Sequence, residues 1–201
     1  MRITSVNIVF AGLLAGSSLF LSCGRTATSS EKTNFTHVDS LTEKYLSFQD
    51  TLLQAWNLLA RDEKEKLESI EKALHGMIRL SVNELPQLSV LHNRLDQLKQ
   101  IHLTQKALSN PYVIEEYDFA SSSLVSEVLA LMESNPKVVS DAELAELIEK
   151  IKFTDQQIEV YRNGYDSITS EFNSFIEINK ISLKEVADNN LEKRPVFNSG
   201  K

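Results

Sequence analysis

Apolar residues recur every three or four positions along most of this chain, which is the spacing of an amphipathic helix. Four such series occur, over residues 41–77, 88–101, 117–131 and 144–175. The first series predicts a long helix over residues 38–80, and the last predicts another over residues 141–179. At 1.5 Å per residue, each of these helices would be about 60 Å long.

This pattern predicts an all-α fold, an elongated antiparallel four-helix bundle with two long and two shorter helices. Only 6 glycines and 4 prolines occur in 201 residues, too few for the turns of an all-β protein. A coiled coil between chains is the alternative, because the spacing does not separate packing within a chain from packing between chains. Four residues on the stripes are predicted to be buried: Trp56, Ile148, Tyr165 and Phe172.

Residues typical of helix ends stand between the series. Ser140 and Glu143 have the spacing of a capping box and predict the start of the last helix. Helix-breaking or capping residues separate the other helices, namely Asn83, Asn110-Pro111 and Asn135-Pro136.

The first 22 residues look like a secretory leader. Arg2 precedes an apolar run that ends in Leu21-Ser22-Cys23, as in the lipobox of bacterial lipoproteins, where cleavage precedes a lipidated cysteine. Cys23 is therefore the predicted lipidation site, and it is the single cysteine of the chain. An uncleaved transmembrane anchor is the alternative, since the run is about long enough to cross a bilayer.

The predicted organisation has four parts: signal peptide 1–22, polar tether 23–37, helical bundle 38–181 and C-terminal tail 182–201. Gly24 follows the cysteine, and no acidic residue stands there. In lipoproteins generally, this looks like permission to leave the inner membrane. The resemblance to a lipobox therefore implies a lipid-anchored envelope protein in the outer membrane, facing the periplasm, rather than one retained in the inner membrane.

Composition narrows the classes of partner. The chain is 42% hydrophobic and 24% charged, as in a folded soluble domain, and its net charge is −7. A negative charge of this size disfavours nucleic acid, whose phosphates would be repelled.

Residues 135–176 resemble the C-terminal half of the LemA family of bacterial envelope proteins. The matching positions are Thr154, Ile158, Arg162, Tyr165 and the Phe172-Asn173 pair, followed by LEKRPVF at residues 191–197. Asp155, Asp166 and Val196 depart from the family pattern.

The first half resembles the family less closely. Ala55-Trp56 falls where the family has an Ala-Trp pair, but EKLESIEKA at residues 65–73 replaces the proline-containing signature. The resemblance implies a four-helix bundle behind an N-terminal anchor, with no agreed enzymatic activity and with a role as scaffold or adaptor.

Little in the sequence supports catalysis or a cofactor. His92 and His102 would lie about 15 Å apart on one helix, too far to share a metal ion, and the chain has no HExxH motif. The acidic group Glu115, Glu116 and Asp118 is typical of a solvated first turn of a helix. No glycine-flanked nucleophile and no phosphate-binding loop occurs, so we expect no cofactor, no metal and no enzyme.

Five residues are candidate structural or partner contacts: Arg162, Tyr165, Phe172, Asn173 and Phe197. Asn173 lies at the edge of the apolar stripe, where its amide would reach a neighbouring helix, a loop or a partner. Leu191 and Phe197 are large apolar residues in a polar terminus. They predict that residues 191–197 dock weakly on the bundle.

Two functions remain open. The first is a lipid-anchored scaffold or adaptor for another envelope protein of unknown identity. The second is a carrier of a small molecule or lipid in a cavity between helices, which the polar stripe residues Glu63, Ser121 and Asp155 would line.

Overall fold

The computed structural model describes residues 36–80, 85–184 and 191–198, and the described residues are mostly helical, with no strand among them. The α-helices are α1 (His37–Arg79), α2 (Leu85–Gln100), α3 (Pro111–Ser134), α4 (Pro136–Ser140), α5 (Ala142–Ile178) and α6 (Lys180–Leu183), with a 3-10 helix at Gln105–Ser109. The predicted all-α class is confirmed.

The described residues form six α-helices, whereas four were predicted. The two additional helices, α4 and α6, have only 5 and 4 residues. Asn135 and Pro136 end α3 as expected, but the helix restarts at once because Pro136 is tolerated in a first turn. The side chain of Asn135 accepts a hydrogen bond from the Lys137 amide at 3.0 Å and caps this short helix.

Helix α1 starts and ends within one residue of the predicted limits. The Thr36 side chain accepts a hydrogen bond from the Asp39 amide, and the Asp39 carboxylate accepts one from the Thr36 amide at 2.8 Å, so the pair forms a capping box. The predicted cap of α2, Asn83, lies outside the described residues.

The predicted cap of α5 is wrong by one residue. Asp141, not Ser140, accepts the bond from the Leu144 amide, at 3.0 Å. Ser140 still belongs to α4, where its hydroxyl donates to the Lys137 carbonyl at 3.1 Å. The chain changes direction at Asp141, which has extended backbone angles, so this residue is the one placed to cap.

Helices α1 and α5 are antiparallel along their length. Their contacts run in opposite order along the two helices: Tyr45 with Phe172, Lys66 with Asp155, and Arg79 with Glu143. The α2 helix packs back along α1, with Lys99 at 2.7 Å from Glu71. The α3 helix packs along α5.

Buried side chains form two clusters at different positions along the α1–α5 pair. The aliphatic core joins the C-terminal half of α1 to α2, α3, α4 and the start of α5, and includes Leu74, Leu91, Leu95, Leu124 and Leu144. The aromatic core joins the start of α1 to the end of α5, and includes Tyr45, Phe48, Trp56, Tyr165, Phe172 and Phe175.

Three of the four residues predicted to be buried are buried, namely Ile148, Tyr165 and Phe172. Trp56 is only half-buried. Its position at the edge of the aromatic core leaves one side of the indole beside a surface groove.

The leader, Cys23 and most of the predicted tether lie outside the described residues. Within the described ranges, no helix is long and apolar enough to cross a membrane.

Candidate functional site

The C-terminal segment, residues 191–198, lies against α1 and α5 and completes the aromatic core. Asn173 holds its backbone from both sides. The Asn173 amide nitrogen donates to the Arg194 carbonyl and its oxygen accepts from the Arg194 amide, both at 2.8 Å. One side chain thus satisfies both polar backbone groups of Arg194, as a neighbouring strand would.

Asp166 holds the end of the same segment. Its carboxylate accepts from the backbone amides of Phe197 and Asn198 at 2.7 and 3.0 Å. Asn198 adds a side-chain bond at 3.1 Å. Because a carboxylate only accepts hydrogen bonds and accepts more strongly than a neutral amide, Asp166 suits a site with three donors.

The Arg194 side chain ties the segment to two other elements. Its guanidinium donates to Gln49 of α1 at 2.7 Å and to Gln105 of the 3-10 helix at 3.1 Å. The segment is therefore joined to α1, α5 and the 3-10 helix.

Phe197 lies among the aromatic residues of this core. Its ring stacks on Trp56 with a centroid distance of 6.1 Å and meets the edge of Tyr165 at 5.8 Å. The guanidinium carbon of Arg162 lies 4.9 Å from the same ring centre, a distance suited to a cation–π contact. The predicted docking of Leu191 and Phe197 is seen in the structure, while its weakness stays a prediction.

Deeper in the same core, Phe172 is 2% exposed and meets the rings of Tyr45 and Phe48, each at 5.9 Å. Tyr165 is fully buried, and this burial raises the pKa of its phenol. Both residues act here as packing residues. The five candidate contact residues are thus brought together, and their partners lie in the chain itself.

A network of charged residues lies beside this core, where α1, α3 and α5 meet. Glu63 is its centre, with one oxygen 3.0 Å from Arg162 and the other 3.2 Å from Lys66. Arg162 reaches Asp118 at 2.6 Å, and Lys66 reaches Asp155 at 3.1 Å. Glu63 and Lys66 are both buried, so each charge depends on its partner.

The network and its burial also shift the pKa values of Tyr117 and Arg162. Burial raises the pKa of Tyr117, whose hydroxyl donates to Glu63 at 3.1 Å, and the nearby Glu63 charge raises it further. Burial alone would lower the pKa of Arg162, but Asp118 and Glu63 outweigh burial and raise it. Both shifts move the pKa further above neutral pH, so Tyr117 stays neutral and Arg162 stays charged, as they do at their ordinary pKa values.

Two depressions lie on either side of this network. A polar cavity of about 260 Å³ opens between α3 and α5, and Lys66, Arg162, Ser121, Asp118, Asp155 and Phe197 are among the residues that line it. An apolar groove of about 480 Å³ lies between α1 and the end of α2, with Trp56, Leu59, Leu67, Leu98, Leu103 and Tyr117 in its wall.

The three polar stripe residues thus lie at or near one cavity. Ser121 and Asp155 line it. Glu63 forms ion pairs with two of the other lining residues, Lys66 and Arg162. Sequence reasoning missed Lys66, although Glu63 and Lys66 both interrupt the stripe between Leu59 and Ile70. Two opposite charges three positions apart on one stripe were the available signal.

No group of three or more potential metal ligands occurs in the described part of the chain. His92 instead contacts His75, with ring centres 4.9 Å apart and the rings tilted by 42°. In the acidic group at the start of α3, Asp118 pairs with Arg162, while Glu115 and Glu116 are exposed.

Comparison with known protein families gives a match over most of the chain. The LemA family model matches residues 34–198. The chain matches no curated protein and no solved structure. Because the match covers the bundle and the C-terminal segment together, the chain belongs to the LemA family.

Proposed function

We propose that this LemA family member is a lipid-anchored, non-enzymatic envelope protein that serves as a scaffold or adaptor for another envelope protein. The leader and Cys23 support the anchor and the envelope location, with the outer membrane and its periplasmic side favoured by Gly24. The polar residues near the centre of the bundle bond one another, which supports a structural role for them.

The observation that carries the scaffold role is a set of exposed apolar side chains on α3 and α5. Phe119 of α3 is 78% exposed, and Phe153 and Val160 of α5 are 62% and 58% exposed. Phe153 and Val160 are seven residues apart, so they share one face of α5. Aromatic residues exposed to this degree are typical of surfaces that a partner covers.

Site-specific photocrosslinking in cells tests the scaffold role. A benzophenone amino acid at Phe153 or Val160 is expected to give a discrete crosslinked species with an envelope protein. The same probe at Lys72, an exposed position on α1, is the control and is expected to give none. Equal or absent crosslinking at all three positions would contradict a scaffold that uses this face.

The anchor has its own test. Cells that express the wild-type chain and the Cys23→Ala variant are labelled with a radioactive fatty acid. Label is expected on the wild type and not on the variant. Equal labelling of both, or no label on the wild type, would overturn the lipoprotein assignment.

The apolar groove favours a second function, a carrier of a small apolar molecule or lipid. Its volume of about 480 Å³ lies in the range of ligand pockets. A thermal-shift screen of envelope lipids and metabolites tests this function, with Leu67→Trp as a variant that fills the groove. Stabilisation of the wild type by several degrees, absent in the variant, would support the carrier function.

A further inference from the structure

Two isoleucines, at the end of α5 and in α6, are the most exposed large apolar side chains among the described residues. Ile178 is 82% exposed and Ile181 is 86% exposed. Helical hydrogen bonding continues between the two helices, since the Leu183 amide donates to the Asn179 carbonyl at 2.9 Å. This isoleucine pair is three positions apart and therefore shares one side of the helix. Leu183, on the other side, is fully buried, so α6 packs on the bundle and the isoleucine pair points away from it.

The charged residues next to the isoleucine pair suit a bilayer surface. Lys180 directly precedes Ile181, Lys184 follows it by one turn, and both lysines are exposed. A lysine has an apolar stem and a charged end, so its stem can lie on a membrane while its ammonium group stays in water. Glu177, the acidic residue directly before Ile178, is paired with Lys193 at 2.6 Å. Exposed apolar residues bordered by lysines are typical of segments that lie at a bilayer surface.

The isoleucine pair lies at the end of the bundle where α1 begins. Because α1 and α5 are antiparallel, the end of α5 lies beside the first turns of α1. The Lys44 ammonium nitrogen is 5.4 Å from the ring centre of Phe175. The α6 helix also contacts α1, and Leu183 belongs to the same buried cluster as Leu41. The isoleucine pair is therefore level with the first turns of α1.

The predicted lipid attachment site is close to this end of the bundle along the sequence. Cys23 lies 13 positions before Thr36, and a chain of this length reaches at most about 45 Å. Two isoleucines alone hold a protein on a bilayer only weakly, and a net charge of −7 adds no attraction to anionic lipid. A lipid on Cys23 makes the contact intramolecular, with an effective concentration in roughly the millimolar range.

We propose that this end of the bundle docks on the bilayer that holds the lipid anchor, with the isoleucine pair inserted among the lipid headgroups. The proposal rests on the lipid anchor of the proposed function and adds a second contact between the domain and the membrane. The two apolar side chains lie at the boundary between headgroups and acyl chains. The ammonium groups of Lys180 and Lys184 lie beside the lipid phosphates.

Fluorescence of the full chain in lipid vesicles tests this contact. Because the anchor occupies the Cys23 thiol, Ile181→Cys supplies the one free thiol for an environment-sensitive dye. The vesicles contain phosphatidylethanolamine and phosphatidylglycerol, and some of the lipids have a quencher on the acyl chain. Emission at position 181 is expected to shift to the blue and to be quenched. Val139→Cys is the control, at a position of α4 that is 51% exposed at the other end of the bundle, and is expected to show neither change.

Flotation of the same vesicles separates the docking from the anchor. A chain that floats with the vesicles and shows no more quenching at position 181 than at position 139 would overturn the docking and leave the anchor standing. A chain that does not float has no lipid anchor. That result would overturn both the anchor and the docking that rests on it.

A second pair of variants tests whether the isoleucine side chains make the contact. With the dye at position 181, Ile178→Ser is expected to lower the ratio of docked to undocked chains about tenfold, because one apolar side chain less is buried in the bilayer. The control is Val90→Ser on α2, where the side chain is 56% exposed, and it is expected to leave the ratio unchanged. An unchanged ratio for Ile178→Ser, or an equal fall for both variants, would overturn the proposal.

Discussion

The aliphatic core and the aromatic core both lie along the α1–α5 pair, but different elements enclose them. At the aliphatic core, α2 and α3 lie alongside α1 and α5, and leucines such as Leu91 and Leu95 fill the interior with no exposed surface. At the aromatic core only α1 and α5 are long helices. The 3-10 helix, α6 and residues 191–198 close the remaining sides.

This difference determines where specific polar contacts are needed. A helix satisfies its own backbone, so the aliphatic core is held mainly by apolar shape, with ion pairs such as Lys99–Glu71 at its edge. The C-terminal segment is not helical, and its backbone groups require partners elsewhere. Asn173 and Asp166 provide these partners, so the aromatic core depends on individual side chains more than the aliphatic core does.

The largest expected effect is the loss of an aromatic ring at the centre of the aromatic core. Phe172→Ala is expected to lower the free energy of unfolding by about 3–5 kcal/mol, and Leu95→Ala in the other core by about 2–5 kcal/mol. Urea denaturation measures both. Only Phe172→Ala is expected to speed hydrogen exchange at the Arg194 amide as well. A loss well under this range for Phe172→Ala would mean that the ring is poorly packed.

The second largest expected effect is the loss of the Glu63 charge from the network between the two cores. Glu63→Gln is expected to lower the free energy of unfolding by about 3 kcal/mol, because Lys66 and Arg162 lose the charge that they share. The control is Glu65→Gln, whose side chain is 45% exposed and 3.9 Å from Lys150. This change is expected to lower stability by about 0–1 kcal/mol. Equal losses for the two variants in urea denaturation would contradict a central role for Glu63.

The two cores also differ in how far the sequence predicts them. Apolar spacing was enough for the long helices and for the burial of Phe172, because helical period and burial are local patterns. The docking of Phe197 followed from its apolar side chain in a polar terminus. A polar contact of the Asn173 amide was also expected from its place at the edge of the stripe. That its partner is Arg194, and that Asp166 bonds Phe197, could not be predicted, because each bond joins residues more than twenty positions apart and no local pattern records such a pair.

The C-terminal segment is expected to open before the rest of the domain. Phe197→Ser removes the ring packed on Trp56 and Tyr165, and burial of such a ring contributes about 1.5–3 kcal/mol. Ordering the backbone offsets this by about 1–2 kcal/mol per residue. In this variant, hydrogen exchange at the amides of Arg194 and Asn198 is therefore expected to approach the free-peptide rate, while α2 and α3 stay protected.

A matched control separates docking from general loss of apolar surface. Ile181→Ser removes a side chain that is 86% exposed and is expected to leave exchange in the segment unchanged. If residues 191–197 exchange at the free-peptide rate in the wild type as well, the docking is too weak to order the segment in solution.

The smallest expected effects come from two glycines in the two long helices. A Cβ atom at Gly76 of α1 would lie 2.5 Å from a methyl carbon of Leu144, whereas a Cβ at Gly164 of α5 would meet nothing within 4 Å. Alanine favours a helix over glycine by about 1 kcal/mol. Gly164→Ala is therefore expected to raise the free energy of unfolding by about 0.5–1 kcal/mol.

At Gly76 the same gain is opposed by crowding. Leu144 is 1% exposed in the aliphatic core, so it has little room to move, and overpacking of this kind costs about 1–3 kcal/mol. Gly76→Ala is expected to be neutral or destabilising by up to about 2 kcal/mol, the difference between these terms. Thermal unfolding of the two variants side by side measures the contrast. A rise in stability for both would mean that Leu144 repacks freely, and that the aliphatic core is less tightly fitted than its buried leucines indicate.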